Sequence, residues 1–460
     1  MTSVTELPVL RQDGLLYLMA AAFAVGEGVF AVTADYREWG HVAVGPYLLA
    51  ALACEVTYRR RRKKGAEYAA LDSGDAASTF RRLLVLGALA LVVLVPLGLQ
   101  VTWRADATPQ MTSHNSAQAQ PEVAVIERAG DRFYAFQDPY PAHPSTVGVS
   151  PANDQRSVNA SSYFPYLPGM VLFGVLNALK IPAELNDARV ELAGFTLIIV
   201  ALALLLVPAS SRRRWRAFQF LIVLPTGALP MVTGGDDLPV LALLLLGLVF
   251  VQRRQPVAAG VVMGIAGTLK WTAWPLILLA VLCARDEEDR PAALRYTLSV
   301  LVIVIPAVGA GAALGVHAFV SNVVLFPLGL TKIHSPAASP LPGQVLVQLL
   351  PAYKRAITAA LLGSGTVAVL VMLVRYPPRT AYQAARFSGW ALLFATVIAP
   401  ATRFGYFIYP ANMLVWSYLL HVKTDRSTER EGTPAEQAEL ETGLAAPVSA
   451  EGGQLASSTW

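Results

Sequence analysis

An all-helical, polytopic integral membrane protein is the fold class this sequence predicts, and three observations predict it. Of the 460 residues, 55% are hydrophobic and only 15% are charged, against about 25% charged in a typical soluble domain. Mean hydropathy is +0.49, and several windows reach the ~20 apolar residues that a helix needs to cross a bilayer. The basic residues behind the net charge of +5 sit in short blocks between apolar runs, as the positive-inside rule describes. That distribution argues against nucleic acid as a partner and points to membrane lipids.

Taken in order, a first hairpin is expected over 15–33 and 41–58. Segment 15–33 is too long for a signal peptide, and no small-residue cleavage site follows it. The block Arg59-Arg-Arg-Arg-Lys-Lys64 places the end of this hairpin, and with it the N-terminus, in the cytoplasm. Segment 83–103 then crosses outward, leaving the long polar loop from Arg104 to about Pro165 outside. Segment 163–181 opens on aromatic and proline residues and is expected to lie in the interface or re-enter it. A full crossing there would carry Arg212-Arg-Arg-Trp-Arg216 to the exterior. Regular alternation follows over 188–208, 217–232, 239–251, 257–269, 273–283, 292–316, 358–374, 388–398 and 407–420. The expectation is roughly twelve crossings with both termini inside.

Three regions result. Residues 1–79 form the hairpin and a basic cytoplasmic linker. Residues 80–421 form the transmembrane core, with external loops 104–187 and 317–354. Residues 422–460, rich in Glu, Ala, Ser and Gly, read as a disordered cytoplasmic tail. Cys54 and Cys283 both fall in predicted spans, where they suit apolar packing and make neither a disulfide framework nor a metal site.

Ionisable side chains are costly in hydrocarbon, so those that persist near spans are candidates for function. Under this topology they gather on the outer side. Glu122, Glu127 and Asp131 lie in the first external loop, Asp236 and Asp237 at a helix turn, and Lys270 at the outer end of a short helix pair. Lys332 and His334 lie in the second external loop, and Arg403 precedes Tyr406 at the last outer turn. Carboxylates and cations around one outward cavity suit a reaction between an anionic donor and a neutral hydroxyl. One carboxylate takes the proton, and the cations hold a phosphate leaving group.

Each candidate also has a plain structural reading. Glu122 follows Pro121 and suits a first-turn acid favoured by the helix dipole. One of Asp236 and Asp237 suits an N-cap. Lys270 can snorkel to the interface, Arg403 can anchor a lipid headgroup, and His334 suits a solvated loop. A helix from Pro121 would align Val123, Ile126, Gly130 and Phe133 in a stripe suited to a membrane surface. No phosphate-binding glycine loop, dinucleotide motif, zinc spacing or serine elbow is present.

The run Glu122-Val-Ala-Val-Ile-Glu-Arg-Ala-Gly130, then Asp138-Pro-Tyr140 and Tyr163-Phe-Pro-Tyr-Leu-Pro168, resembles the first external loop of GT-C superfamily glycosyltransferases. The resemblance is to the bacterial polyprenyl-phosphate-mannose-dependent α-mannosyltransferases, glycosyltransferase family 87. It extends through Gly235-Asp-Asp-Leu-Pro239, the run from Ala259 to Lys270, and Arg403-Phe-Gly-Tyr406, in that order. It implies an inverting transfer of a sugar, mannose in that family, from a polyprenyl-phosphate donor to a lipid or glycan acceptor. It implies no metal and no cofactor beyond the lipid-linked donor. The family's base is usually an aspartate early in this loop; here Glu122 stands at that place, with Glu127 as the second candidate. Lys270 and Arg403, with Tyr406, correspond to donor-phosphate positions. Asp236 or Asp237, with His334, Tyr140 and Tyr163, correspond to sugar or acceptor positions. The competing reading is a transporter or flippase of lipid-linked or envelope precursors, although no internal repeat of the kind many transporters carry is evident. A third is a non-catalytic envelope scaffold. The sequence sets no oligomeric state.

Overall fold

The computed structural model describes residues 6–63, 75–106, 119–141, 162–179, 181–285, 289, 291–327, 331, 339–399 and 402–421. Every regular element among them is helical.

Helices α1 (Glu6–Phe30) and α2 (Ala34–Lys63) form the expected hairpin, and two prolines elsewhere explain how it docks. Helix α3 runs over Asp75–Leu89, through a wide turn at Ala90–Leu94, into Val95–Ala105. Pro96 has no N–H, so the carbonyl four residues back loses its helical donor. That carbonyl is Val92 O, and Trp39 Nε1 of α2 donates to it at 3.0 Å. The second site lies in a bent helix further along the chain.

Helix α4 spans Pro121–Tyr134, with proline at its first position, where a missing N–H costs nothing. It ends in a Schellman cap: Phe136 N donates to Phe133 O and Gln137 N to Arg132 O. The left-handed residue of such a cap is usually glycine; here it is Phe136, at φ 56°. Helix α5 spans Ala188–Leu206. Helix α6 runs Ser211–Phe218, widens over Gln219–Val223, breaks at an extended Leu224 before Pro225, and resumes over Pro225–Thr233 with a 44° bend. A residue before proline is pushed out of the helical region. Gly227 N, the ordinary donor to Val223 O, bonds Leu224 O instead. Tyr47 OH of α2 fills the vacancy, donating to Val223 O at 2.6 Å. The hairpin is therefore stitched into the core at two carbonyls that prolines released.

Helix α7 (Asp237–Gln252) is the axis of the bundle. It is apolar on every face and buried almost throughout, as a helix surrounded by protein should be. Helices α8 (Pro256–Leu269), α9 (Trp274–Cys283), α10 (Ala292–Leu314), α11 (Lys354–Arg375), α12 (Ala381–Ile398) and α13 (Ile408–Leu420) follow, with shorter helical segments over Val316–Leu325 and Pro342–Leu349 between α10 and α11. Helix α11 lies at the other extreme: Gly365 is its one buried residue, and Leu362, Val367, Leu370, Val371 and Val374 are exposed. An apolar surface of that kind suits lipid.

Among the described residues six helices are long and apolar enough to cross a membrane, seven with the bent α6, and the chain is a multi-pass membrane protein. Roughly twelve crossings were expected. Several of the predicted crossings form shorter apolar helices, α7 and α8 among them; at 1.5 Å per residue, α7 with 16 residues reaches about 24 Å, short of a ~30 Å hydrocarbon core.

Two expectations about the first loop change. Three of the four stripe residues on α4 face protein: Val123 and Ile126 are fully buried and Gly130 is buried, while Phe133 stays exposed. A Cβ at Gly130 would come within 2.1 Å of the Gly174 backbone, so two glycines allow the chains to touch. Gly174 belongs to a 3₁₀ segment, Pro168–Ala178, at the place where an interfacial or re-entrant helix was expected. Met170, Val171, Phe173 and Gly174 of that segment are buried, so α4 and the 3₁₀ segment cover each other.

Candidate functional site

The chain brings its charged candidates to one end of the bundle in two separate groups. The first is built around α7. Gly234, at φ 101°, closes the preceding helix in the left-handed conformation. Asp236 then takes the N-cap position of α7, but its side chain makes no cap hydrogen bond. It turns instead to Lys270, the C-cap of α8. Lys270 Nζ donates to Asp236 Oδ1 at 2.9 Å and to Asp237 Oδ1 at 2.5 Å. The cap reading of Asp236 and the snorkelling reading of Lys270 therefore both give way to an ion triad. Asp237 Oδ1 also accepts from Tyr409 OH at 2.7 Å, and Thr272 Oγ1 lies 2.5 Å from the same phenol. Asp236 Oδ2 is buried and not used by Lys270, and the Tyr166 phenol is the hydrogen-bonding neighbour of this carboxylate.

Two acids around one lysine leave a surplus negative charge. Burial pushes the Asp236 carboxyl up from 3.8 to about 6, against the pull of the Lys270 ammonium, and Asp237 and Glu122 add to the rise. Lys270 moves the other way from what its burial alone would do, because the two carboxylates hold its proton. The aromatic floor is Tyr166, with Lys270 Nζ 5.2 Å from its ring centroid. Leu167 N donates to Leu269 O at 3.0 Å, which fixes Tyr166 beside the end of α8.

Glu122 and Arg403 complete this group. Arg403 NH1 donates to Glu122 Oε1 at 3.0 Å, with side chains 38% and 25% exposed, so this pair is open where the lysine triad is closed. Glu122 is within electrostatic reach of Asp236 and Tyr166, and Tyr406 within reach of Arg403, Lys270 and both aspartates.

Glu127 belongs to the second group. Arg104 grips it with two nitrogens, at 2.7 and 2.6 Å, and Ala188 N donates to it at 3.2 Å. Arg104 also bonds Asp187, which pairs with the fully buried Arg189. Burial alone would raise the Asp187 carboxyl, but Arg189 and Arg104 hold it down at about 2. Asp131 accepts from Asn177 Nδ2 at 2.8 Å.

Tyr140 is buried and donates to Tyr166 O at 3.1 Å, so it braces the floor from behind. Tyr163 stacks on Phe326 at 4.3 Å, in a small cluster of its own. His334 and Lys332 lie outside the described residues. Tyr166, Tyr409 and Thr272 were not singled out from the sequence. Among the described residues no three His, Cys, Asp or Glu side chains come together as a metal ligand set.

The profile of glycosyltransferase family 87 matches residues 164–400, more than half of the 460-residue chain. This chain belongs to glycosyltransferase family 87. No curated protein and no solved structure matches it. The family 87 segment contains Tyr166, Asp236, Asp237 and Lys270; Glu122 and Arg403 flank it on either side. Membership makes glycosyl transfer the activity, and leaves transport unfavoured.

Proposed function

We propose that this family 87 protein transfers a sugar, mannose by family resemblance, from a polyprenyl-phosphate donor to a lipid or glycan acceptor. The reaction takes place on the outer face of the cytoplasmic membrane, with both termini inside. Glu122 is the general base and removes the proton of the acceptor hydroxyl. The acceptor oxygen then forms a bond to the anomeric carbon as the bond from that carbon to the phosphate oxygen breaks. The electron pair leaves with the polyprenyl phosphate, and the single displacement inverts the anomeric centre.

Arg403 and Tyr406 meet the departing phosphate, and Lys270 adds the one ammonium hydrogen that its two carboxylates leave unused. Asp236 and Asp237 orient hydroxyls of the sugar or acceptor, and Tyr166 offers a face for the ring. The observation that carries this reading is the open Glu122–Arg403 pair set beside the buried Lys270–Asp236–Asp237 triad. The same contrast favours Glu122 over Glu127, whose two oxygens are both held by Arg104. Tyr140 acts through the aromatic floor, and Tyr163 keeps its expected role toward the sugar or acceptor. His334 keeps its proposed place at the acceptor side.

The test is incubation of purified protein with sugar-labelled polyprenyl-phosphate mannose and a membrane-lipid extract. Transfer by the wild type and its loss in Glu122→Gln is the expected result. Full transfer by Glu122→Gln would remove the base assignment, and movement of intact donor across vesicles without transfer would restore the transport reading.

A further inference from the structure

The N-terminal hairpin lies outside the family-matched segment, yet its outer turn reaches the start of α4. Gln120 is the N-cap of α4, two residues before Glu122. Its side chain makes no cap bond; Gln120 Nε2 instead donates to Tyr36 OH of α2 at 2.5 Å and to Thr233 Oγ1 at 3.1 Å. Its backbone N donates to Thr233 O at 3.1 Å. Thr233 is the last residue of α6, three before Asp236. One glutamine therefore ties the hairpin, the Glu122 helix and the Asp236–Asp237 turn at a single point.

The neighbouring contacts leave α4 little freedom once that knot is made. A Cβ at Gly234 would lie 2.1 Å from Val123 Cγ2, so the turn and the first coil of α4 are already in contact. Beside the knot, Gln100 Nε2 donates to the backbone carbonyl of Asp35 at 2.7 Å, which holds the segment carrying Tyr36. Trp39, one helical turn from Tyr36, is anchored on Val92 O. Tyr36 thus stands on a rigid mount and offers one oxygen to the residue that leads into Glu122.

We propose that the hairpin is a working part of the glycosyl-transfer site, with Tyr36 a positioning residue that holds the Glu122 end of α4 in register with the Asp236–Asp237 turn through Gln120 and Thr233. This rests on Glu122 being the base. Displacement of a base by about 1 Å costs on the order of 10²-fold in turnover. Tyr36→Phe keeps the ring and removes the oxygen, so its partial release is expected to lower kcat about tenfold with the donor KM unchanged.

Tyr47→Phe is the control, since it removes a buried hydrogen bond from the same hairpin at Val223 O, away from the charged cluster. It should lower thermal stability and leave kcat as it is. Amide hydrogen exchange over residues 121–127 should accelerate in Tyr36→Phe and in Gln120→Ala, and should stay at the wild-type rate in Tyr47→Phe. The double variant Tyr36→Phe with Gln120→Ala should lose no more turnover than the worse single one, because both remove the same link.

Wild-type exchange over 121–127 in Tyr36→Phe overturns the positioning role, as does an equal loss of kcat in Tyr36→Phe and Tyr47→Phe. Wild-type turnover in Tyr36→Phe beside an inactive Glu122→Gln overturns it too, and leaves the base assignment standing. Full turnover in Glu122→Gln overturns the base assignment itself and the catalytic purpose of the clamp with it; the exchange measurement then decides only whether Tyr36 holds the helix.

Discussion

Two glutamates five residues apart on one helix meet opposite surroundings. Glu127 has its carboxylate closed between Arg104 and the Ala188 amide, inside a network of two acids and two arginines. Glu122 has one hydrogen-bonded arginine and a side chain 25% exposed. The first arrangement neutralises its charges, fills its hydrogen-bonding capacity and leaves nothing to offer a substrate. The second keeps a carboxylate where an incoming hydroxyl can reach it. A buried, saturated ion network holds a fold in register; an unsaturated one can take part in chemistry.

The sharpest way to break this comparison is to swap the same charge for an amide at both places. Glu122→Gln should lower kcat by about 10²- to 10⁴-fold, the ordinary worth of a general base, with stability within about 0.5 kcal/mol of wild type. Glu127→Gln should do the reverse. Removing one partner of a buried pair costs about 3–5 kcal/mol, read as a lowered denaturation midpoint in detergent, while the molecules that stay folded keep their turnover. If both variants lose turnover with intact stability, the division between the two groups fails.

A smaller effect sharpens the electrostatic side. The Asp236 carboxyl sits at about 6 in the folded protein against an ordinary 3.8, so between these values the folded state binds a proton that the unfolded chain releases. Its contribution to stability is complete below about 3.8 and is lost as pH rises through about 6. Asp236→Asn should remove that fall, leaving the variant's melting temperature flatter than the wild type's between the two pH values. Parallel curves for the two proteins would mean that Asp236 does not carry the surplus charge of the triad.

The smallest effect is at the far end of α4. Phe136 is 99% exposed at φ 56°, a conformation that costs a residue with a Cβ about 1 kcal/mol. Phe136→Gly should therefore raise stability by about 1 kcal/mol and leave turnover unchanged. A destabilised glycine variant would show that the ring makes a contact in the membrane that offsets the strain.

Helix positions were legible in the sequence because long apolar runs and blocks of arginine are local signals. The contact of Asp236 and Asp237 with Lys270 was not legible, since the sequence shows only that each falls at the end of an apolar run. The choice between Glu122 and Glu127 was not legible either, because it depends on Arg104 and Asp187, which are 23 and 60 positions from Glu127 and come to it by folding. The stripe of α4 was correctly seen as an apolar face; periodicity says that a face will be covered, not whether lipid or Gly174 covers it. Tyr163 was singled out and Tyr166 passed over for a similar reason. In a proline-rich segment with no regular period, three residues decide between a stack on Phe326 and the floor beneath Lys270.

The two proline-released carbonyls carry a consequence for how the molecule is made. Val92 O lies on a helix long and apolar enough to cross a membrane, and Val223 O on a bent pair that passes the same test as one span; in hydrocarbon an unsatisfied backbone group costs several kcal/mol. Their donors, Trp39 and Tyr47, leave the ribosome before either carbonyl does. The hairpin is thus in the bilayer first, carrying two ready side chains onto which each later, kinked helix can lock as it arrives. A chain begun after residue 63 would insert its kinked helices with no such template, and should reach the membrane without reaching the native fold.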